Sequence, residues 1–391
     1  MVVAGRAPAS ERTRTTGAAG PGRAGRLVGL DVARCLALLG MVATHVLPAT
    51  DVDGMLTTTQ WLAGGRASAL FAVLLGVSVA LVSGGSRPHA GGWLARDAAG
   101  LAVRAVLVAG IGLLLGLLDT GIAVILTYYG VVMLLALPFL ALRARALLGL
   151  AVAWAVLSPL VSQAVRPELP PRQFESPAPE QLEEPVRLLG ELLFAGYYPA
   201  FCWLAYVLLG MGLGRLDLRP VGTALRLAVV GLLVAVGATI ASWVASAAVG
   251  FTGDDLAAVE GGMFGQTPLG EWRWLAVVAP HSTTPFDLLQ TGGSAVLVIG
   301  ACLLLVAGVG LAGEGAVRVV AVVFGAGTAT LSLYALHVVM RTEQVWPTEE
   351  PGSFRWHLLV LLWAGAVLVA VGRRGPLEWA VGLLPRRIAG R

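Results

Sequence analysis

An all-α, polytopic membrane protein is the fold class this sequence predicts, on three observations. Of 391 residues, 57% are hydrophobic and only 13% charged, about half the roughly 25% usual in soluble domains. Apolar runs near 20 residues recur from residue 27 to residue 372, the length a helix needs to cross a hydrocarbon core. The charges that remain sort by sign between alternate loops.

Ten spans are expected, at 27–48, 61–83, 98–118, 122–141, 146–165, 192–213, 223–250, 289–312, 316–340 and 355–372. The third and fourth are parted only by LDTGIA, and the ninth is rich in Gly and Thr. Residues 1–26 have no apolar core of their own and read as a disordered cytoplasmic tail, not a signal peptide. Residues 27–372 read as one transmembrane domain, and 373–391 as a second cytoplasmic tail. One set of loops carries Arg87, Arg96, Arg143, Arg145, Arg215, Arg219, Arg226 and Arg318, together with the arginines of both tails. The other set carries Asp51, Asp53, Asp119 and the acidic residues of two long outer loops, 166–191 and 251–288. By the positive-inside rule both termini face the cytoplasm, which agrees with an even number of spans.

Every basic residue other than histidine is arginine. With so much Ala, Gly, Val and Leu, this points to a GC-rich bacterial genome and so to a bacterial plasma membrane. The net charge of +4 resides in short loops and tails, where it is a topology signal and not a nucleic-acid surface. Cys35, Cys202 and Cys302 all fall inside apolar segments with no CxxC or metal spacing, so they read as packing residues and no metal is expected.

The first span, GLDVARCLALLGMVATHVLP (29–48), carries Asp31, Arg34 and His45, although an ionisable group in hydrocarbon costs at least a few kcal/mol. Asp31 and Arg34 are i,i+3 neighbours on a helix. Arg34 and His45 are eleven residues apart, three turns plus about 20°, so they share a face and stand about 16 Å apart along the axis. Arg34 could simply snorkel to the headgroups with Asp31 as its partner. Three polar groups on one stripe cannot all face lipid cheaply, however, so the stripe should face the bundle interior and line a site.

This helix resembles the first helix of transmembrane acyltransferases, where an Asp–x–x–Arg signature opens the helix and a histidine follows eleven residues after the arginine. The membrane O-acetylases of bacterial envelope sugars share that pattern. The remainder resembles the bacterial branch of heparan-α-glucosaminide N-acetyltransferase-like proteins, through WLAGGRASALFAVLLGVSVAL (61–81), YYPAFCWLAYVLLGMGLGRL (197–216), APHSTTPFDLLQTGG (279–293), GTATLSLYALHVVM (327–340) and RRGPLEW (373–379). The helix departs from the common pattern at Cys35, where a glycine usually follows the arginine; that puts close backbone packing there in question. The resemblance implies transfer of an acyl group, usually acetyl, from cytoplasmic acyl-CoA to an envelope glycan or glycolipid outside the membrane.

In that frame Arg34 suits the phosphates of acetyl-CoA, because its fork binds phosphate oxygens in pairs. His45 suits a base that deprotonates the acceptor, or a group that briefly carries the acyl moiety. Arg104, about two turns into the third span, and Arg96 beside it are further donor-binding candidates, with positive-inside anchoring as the competing reading. Arg66 and Ser68, at the outer end of the second span, are acceptor-binding candidates. Arg66 could instead pair with Asp51 or Asp53. His337, with Tyr334 one turn before it, is a candidate second acid/base group, and Tyr334 and His281 are acceptor-binding candidates. Arg341 and Glu343 read as a solvated helix end, Asp287 as a helix cap, and His89 and His357 are assigned nothing. Two other readings remain: a transporter or flippase of an envelope precursor or lipid, disfavoured by the lack of paired broken helices and internal symmetry, and a non-catalytic acyl-CoA-binding membrane protein. A homodimer is left open.

Overall fold

The structure, a computed structural model, describes residues 26–173, 176–345 and 351–389. Apart from the short bridge Thr50–Leu56, its regular elements are helices. They are α1 (Val28–Val46), α2 (Thr58–Ala63), α3 (Arg66–Val82), α4 (Gly91–Leu115), α5 (Leu126–Ala136), α6 (Ala144–Val165), α7 (Pro185–Gly190), α8 (Ala200–Gly214), α9 (Val221–Ala248), α10 (Gly253–Ala257), α11 (Pro285–Gly310), α12 (Glu314–Val323), α13 (Thr330–Met340), α14 (Phe354–Ala370) and α15 (Pro376–Ala389). Local chemistry sets the ends. Pro48 forces Leu47 into an extended conformation and stops α1 there. The Thr57 hydroxyl accepts from the Gln60 N–H to start α2.

Among the described residues six helices are long and apolar enough to cross a membrane, and seven if the bent pair Pro185–Ala195 and Ala200–Gly214 is one span. The fourth, ninth and tenth expected spans are represented by shorter apolar helices. The ninth, expected as one helix over 316–340, breaks into α12 and α13 around a 3₁₀ turn at Gly325–Thr328. The expected loop 166–191 ends in α7, which continues as a π-helical turn at Glu191–Ala195 before a 55° bend into α8. The C-terminal stretch expected as a tail is helical: α15 packs on α4 and α13. The N-terminal tail lies outside the described residues except for Arg26.

Hydrogen bonds between loops join like with like. Arg215 donates to the carbonyls of Ala80, Gly85 and Leu140, tying three arginine-rich connections together at one end of the bundle, the basic end. At the other, acidic end Gln60 reaches Gly261, Arg172 reaches Phe264, Arg341 reaches Thr120 and Ser176 reaches Ile122. The start of α1 and the start of α15 share the basic end, since Asp31 and Glu378 line one cavity there.

The core between these ends is built by close helix approach, since lipid offers no hydrophobic drive for helices to associate. Where α3 crosses α8, Gly76 faces Gly210 and the backbones touch. A Cβ at Gly210 would overlap the carbonyl of Val73, and one at Gly76 would overlap that of Val207. Gly210→Val is expected to cost about 2 kcal/mol or more through overpacking, read as a lower thermal midpoint of the detergent-purified protein. An unchanged midpoint would show that α3 and α8 have room to separate.

Candidate functional site

At the basic end Asp31 is 6% exposed and its carboxylate is shared by two guanidiniums. Arg26 Nε donates to Oδ2 at 2.6 Å and Arg34 Nη1 to Oδ1 at 2.9 Å. Arg34 Nη2 donates to Ser78 Oγ on α3 at 3.0 Å, so the arginine is turned inward and does not snorkel. One wall of a cavity of about 330 Å³ is made by Arg34, and Arg104, Tyr129, Glu378 and the apolar side chains of α3 and α4 complete it. Arg104 makes no hydrogen bond or ion pair among the described residues. A second cavity, of about 580 Å³, shares Asp31 and Arg34 and is lined further by Arg26, Arg219 and the Gly84–Ser86 turn. Arg96 lines neither; it is exposed, with its guanidinium 5.3 Å from the Trp93 ring.

The break before α13 lies against this end. A Cβ on Gly327 would overlap the carbonyl of Asp31 and sit 3.0 Å from the Cys35 nitrogen. The close approach in question at Cys35 is therefore made, with the small residue supplied by the partner segment. A helix that begins inside the protein exposes N–H groups that hydrocarbon cannot satisfy. Glu378 of α15 supplies the acceptor: its Oε1 takes the N–H of Leu331 at 2.6 Å and of Ser332 at 3.2 Å, and its Oε2 takes the Ser332 hydroxyl. Nothing in the sequence around Glu378 signals this role.

At the acidic end, three helices bring three histidines into a line. His45 Nδ1 lies 3.1 Å from His337 Nε2, and His337 Nδ1 lies 3.0 Å from His357 Nδ1. The His45 and His337 rings are parallel to within 6°. His337 and His357 are 0% exposed, and His45 is half-buried. His337, expected as an acid/base group, touches His45 directly. His357, to which the sequence assigned nothing, is the third member. Arg341 is also placed differently from the solvated helix end expected of it. It is half-buried, Nη2 donates to the Thr120 carbonyl at 3.2 Å, and its charge bears on all three histidines. Glu343 is exposed, as expected.

The remaining candidates fall around this line. Tyr334 is buried one turn below His337, and its hydroxyl accepts from the Ile125 N–H at 3.3 Å. Ser68 is buried and donates back to the Gly65 carbonyl, while its own carbonyl accepts from Tyr129. Neither hydroxyl is presented to an outside acceptor. Arg66 pairs with neither Asp51 nor Asp53: it donates to the Trp61 carbonyl and lies over the Trp61 ring. Thr284, not Asp287, caps α11 by accepting from the Asp287 N–H at 3.1 Å, and the Asp287 carboxylate takes the Thr283 N–H at 2.9 Å.

His281 stands in an aromatic box, stacked on Trp203 and edge-on to Tyr197 and Tyr198. Its φ is +57°, as is that of Thr283, a left-handed conformation that side-chain-bearing residues rarely adopt and that clusters at functional sites. Burial pushes the His281 pKa down to about 4. The unfolded chain, with a histidine near 6.5, then binds the proton first, so stability is lost as pH falls from about 6.5 towards 4. Thermal midpoints between pH 7.5 and 5 should fall more steeply for wild type than for His281→Gln. Equal slopes would place the titrating group elsewhere.

A search of curated proteins found no match to the chain. The family model described as heparan-alpha-glucosaminide N-acetyltransferase, catalytic, matches residues 26–239, from the salt-bridged Arg26 through α1, α3, α4, α5, α6 and α8 into α9. That stretch carries Asp31, Arg34, His45, Arg66 and Arg104, and it is more than half of the 391 residues. This all-helical membrane chain therefore belongs to the heparan-alpha-glucosaminide N-acetyltransferase catalytic family.

Proposed function

We propose that the chain is a membrane acyltransferase that takes an acyl group, usually acetyl, from acyl-CoA at the basic end and delivers it to an envelope glycan or glycolipid at the acidic end. The basic end faces the cytoplasm of a bacterium by its arginine-rich loops, and the chain resides in the plasma membrane. The observation that carries this reading is that α1 holds Arg34 in the arginine-lined chamber and His45 in the histidine line, one group at each end of one helix.

On the donor side, Arg34 and Arg104 offer phosphate oxygens the charge they need, and Arg26 and Arg219 extend that charge into the wider cavity. On the acceptor side, His45 Nε2 takes the proton of the acceptor hydroxyl or amine as its lone pair attacks the thioester carbonyl. The new bond forms to the acyl carbon, the C–S bond breaks, and the thiolate leaves and takes up the proton. His281 and its aromatic neighbours form a wall next to which a sugar ring could stack. Arg66, Ser68 and Tyr334 shape the surrounding scaffold through the contacts described above.

A second reading, transport of an envelope precursor, is favoured by one feature: discontinuous helices at 185–214 and 314–340, which many transporters place at their substrate site. Binding of acetyl-CoA to the detergent-purified full chain, followed by calorimetry, separates the two. Saturable binding is expected, weakened at least about tenfold in Arg34→Ala and in Arg104→Ala. His45→Ala should retain donor binding and lose transfer by about 100-fold or more. No binding of acetyl-CoA or of longer acyl-CoAs would overturn the acyltransferase reading in favour of transport.

A further inference from the structure

A neutral imidazole has one N–H and one lone pair. In a line of three, that makes the two hydrogen bonds interdependent. If His45 donates from Nδ1 to His337 Nε2, then His337 carries its proton on Nδ1 and donates to His357 Nδ1. If His357 donates instead, both bonds reverse, and His45 accepts at Nδ1 and carries its proton on Nε2. The separations of 3.1 and 3.0 Å hold both bonds at once. A second added proton is excluded, since two imidazoliums about 3 Å apart beside Arg341 would repel strongly. A neutral line has two arrangements, and only the first leaves His45 Nε2 bare.

We propose that His357 is a positioning residue for the acyl transfer. By accepting at Nδ1 it holds His337, and through it His45, in the tautomer whose Nε2 can take the acceptor's proton. This rests on the acyltransferase reading of His45, and it assigns a role to a histidine on α14, far beyond the matched stretch. The same geometry gives the proton a path after transfer. As His45 Nε2 gains the acceptor's proton, the Nδ1 proton of His45 moves to His337 Nε2 and the Nδ1 proton of His337 moves to His357 Nδ1. This leaves one positive charge in the line. The steps reverse when the thiolate is protonated. Among the described residues, Arg341 at the C-terminal end of α13 bears on all three rings with its charge, and His281 from the outer loop bears on His45.

The chain has five histidines, so selective ¹⁵N-histidine labelling of the full-length protein in lipid bilayers gives ten ring nitrogens to assign by magnetic resonance. In wild type at neutral pH, His45 should show a protonated Nδ1 and a bare Nε2. His357→Ala should mix the two tautomers of His45, and kcat should fall at least about tenfold with the KM for acetyl-CoA unchanged. His357→Asn, whose amide oxygen can accept in place of Nδ1, should restore the wild-type tautomer and most of kcat. Retained acetyl-CoA binding shows that a variant is folded. A wild-type His45 protonated on Nε2, or an unchanged His45 tautomer and kcat in folded His357→Ala, overturns the proposal. If wild type shows the expected tautomer but transfers no acyl group to any acceptor, the acyltransferase reading fails while the line itself stands.

Discussion

The structure depends on the register between α1 and the segment 325–340. At the basic end Gly327 lies directly on the backbone of Asp31, with no room for a side chain. About four turns further along α1, His45 meets His337 ring against ring. These two contacts fix one short, interrupted segment against one long helix, and the position of every functional group along α1 follows. A slip of one residue would rotate His337 by about 100° away from His45. The register is held from outside the pair as well: Glu378 accepts the first free N–H groups of α13, so α13 cannot unwind or extend through the break without losing buried hydrogen bonds.

This explains how the membrane interior tolerates so many ionisable groups. Asp31 is neutralised by Arg26 and Arg34, Glu378 is absorbed by a helix terminus, and the histidines hydrogen-bond to one another. Arg104 is the exception, a cation lining the cavity with no hydrogen-bond or ion-pair partner among the described residues, and that is why a ligand is proposed for it. Tyr129 lines the chamber and donates to the Ser68 carbonyl, and Tyr334, one turn from His337, accepts from the Ile125 N–H. α1 and α13 run between the two ends.

Much of the donor side was legible in the sequence, because its logic is local. Asp31 and Arg34 are one turn apart, and their spacing to His45 follows from helical geometry alone. The helical class and the sorting of loops by charge follow from composition and alternation. The acceptor side was only half legible. Tyr–x–x–His announces His337, but His357 and Arg341 carry no local signal: one is a lone histidine in an apolar helix and the other an arginine at a helix end. Their role exists only once α14 and α13 meet α1. Glu378 was hidden for the same reason, within a stretch that reads as a tail because its hydropathy is low. The break at 325–329 was the most visible warning, since FGAGTAT combines two glycines with two threonines where a continuous span needs helix formers.

The family match ends at residue 239, yet the arrangement does not. The matched part supplies Arg34, Arg104 and His45, and the part beyond it supplies His281, His337, Arg341, His357 and Glu378. Neither part is a site alone. Without α13 and α14, His45 would be a solitary histidine on a helix face. Its two tautomers would then be free to interchange, and no neighbour would fix the direction of its ring. Without α1, the buried pair His337 and His357 would have no member reaching an accessible surface, because His45 is the only one of the three that is not fully enclosed. The unit that carries a function is the packed pair of segments, and Gly327 and Glu378, which touch no histidine, are what align it.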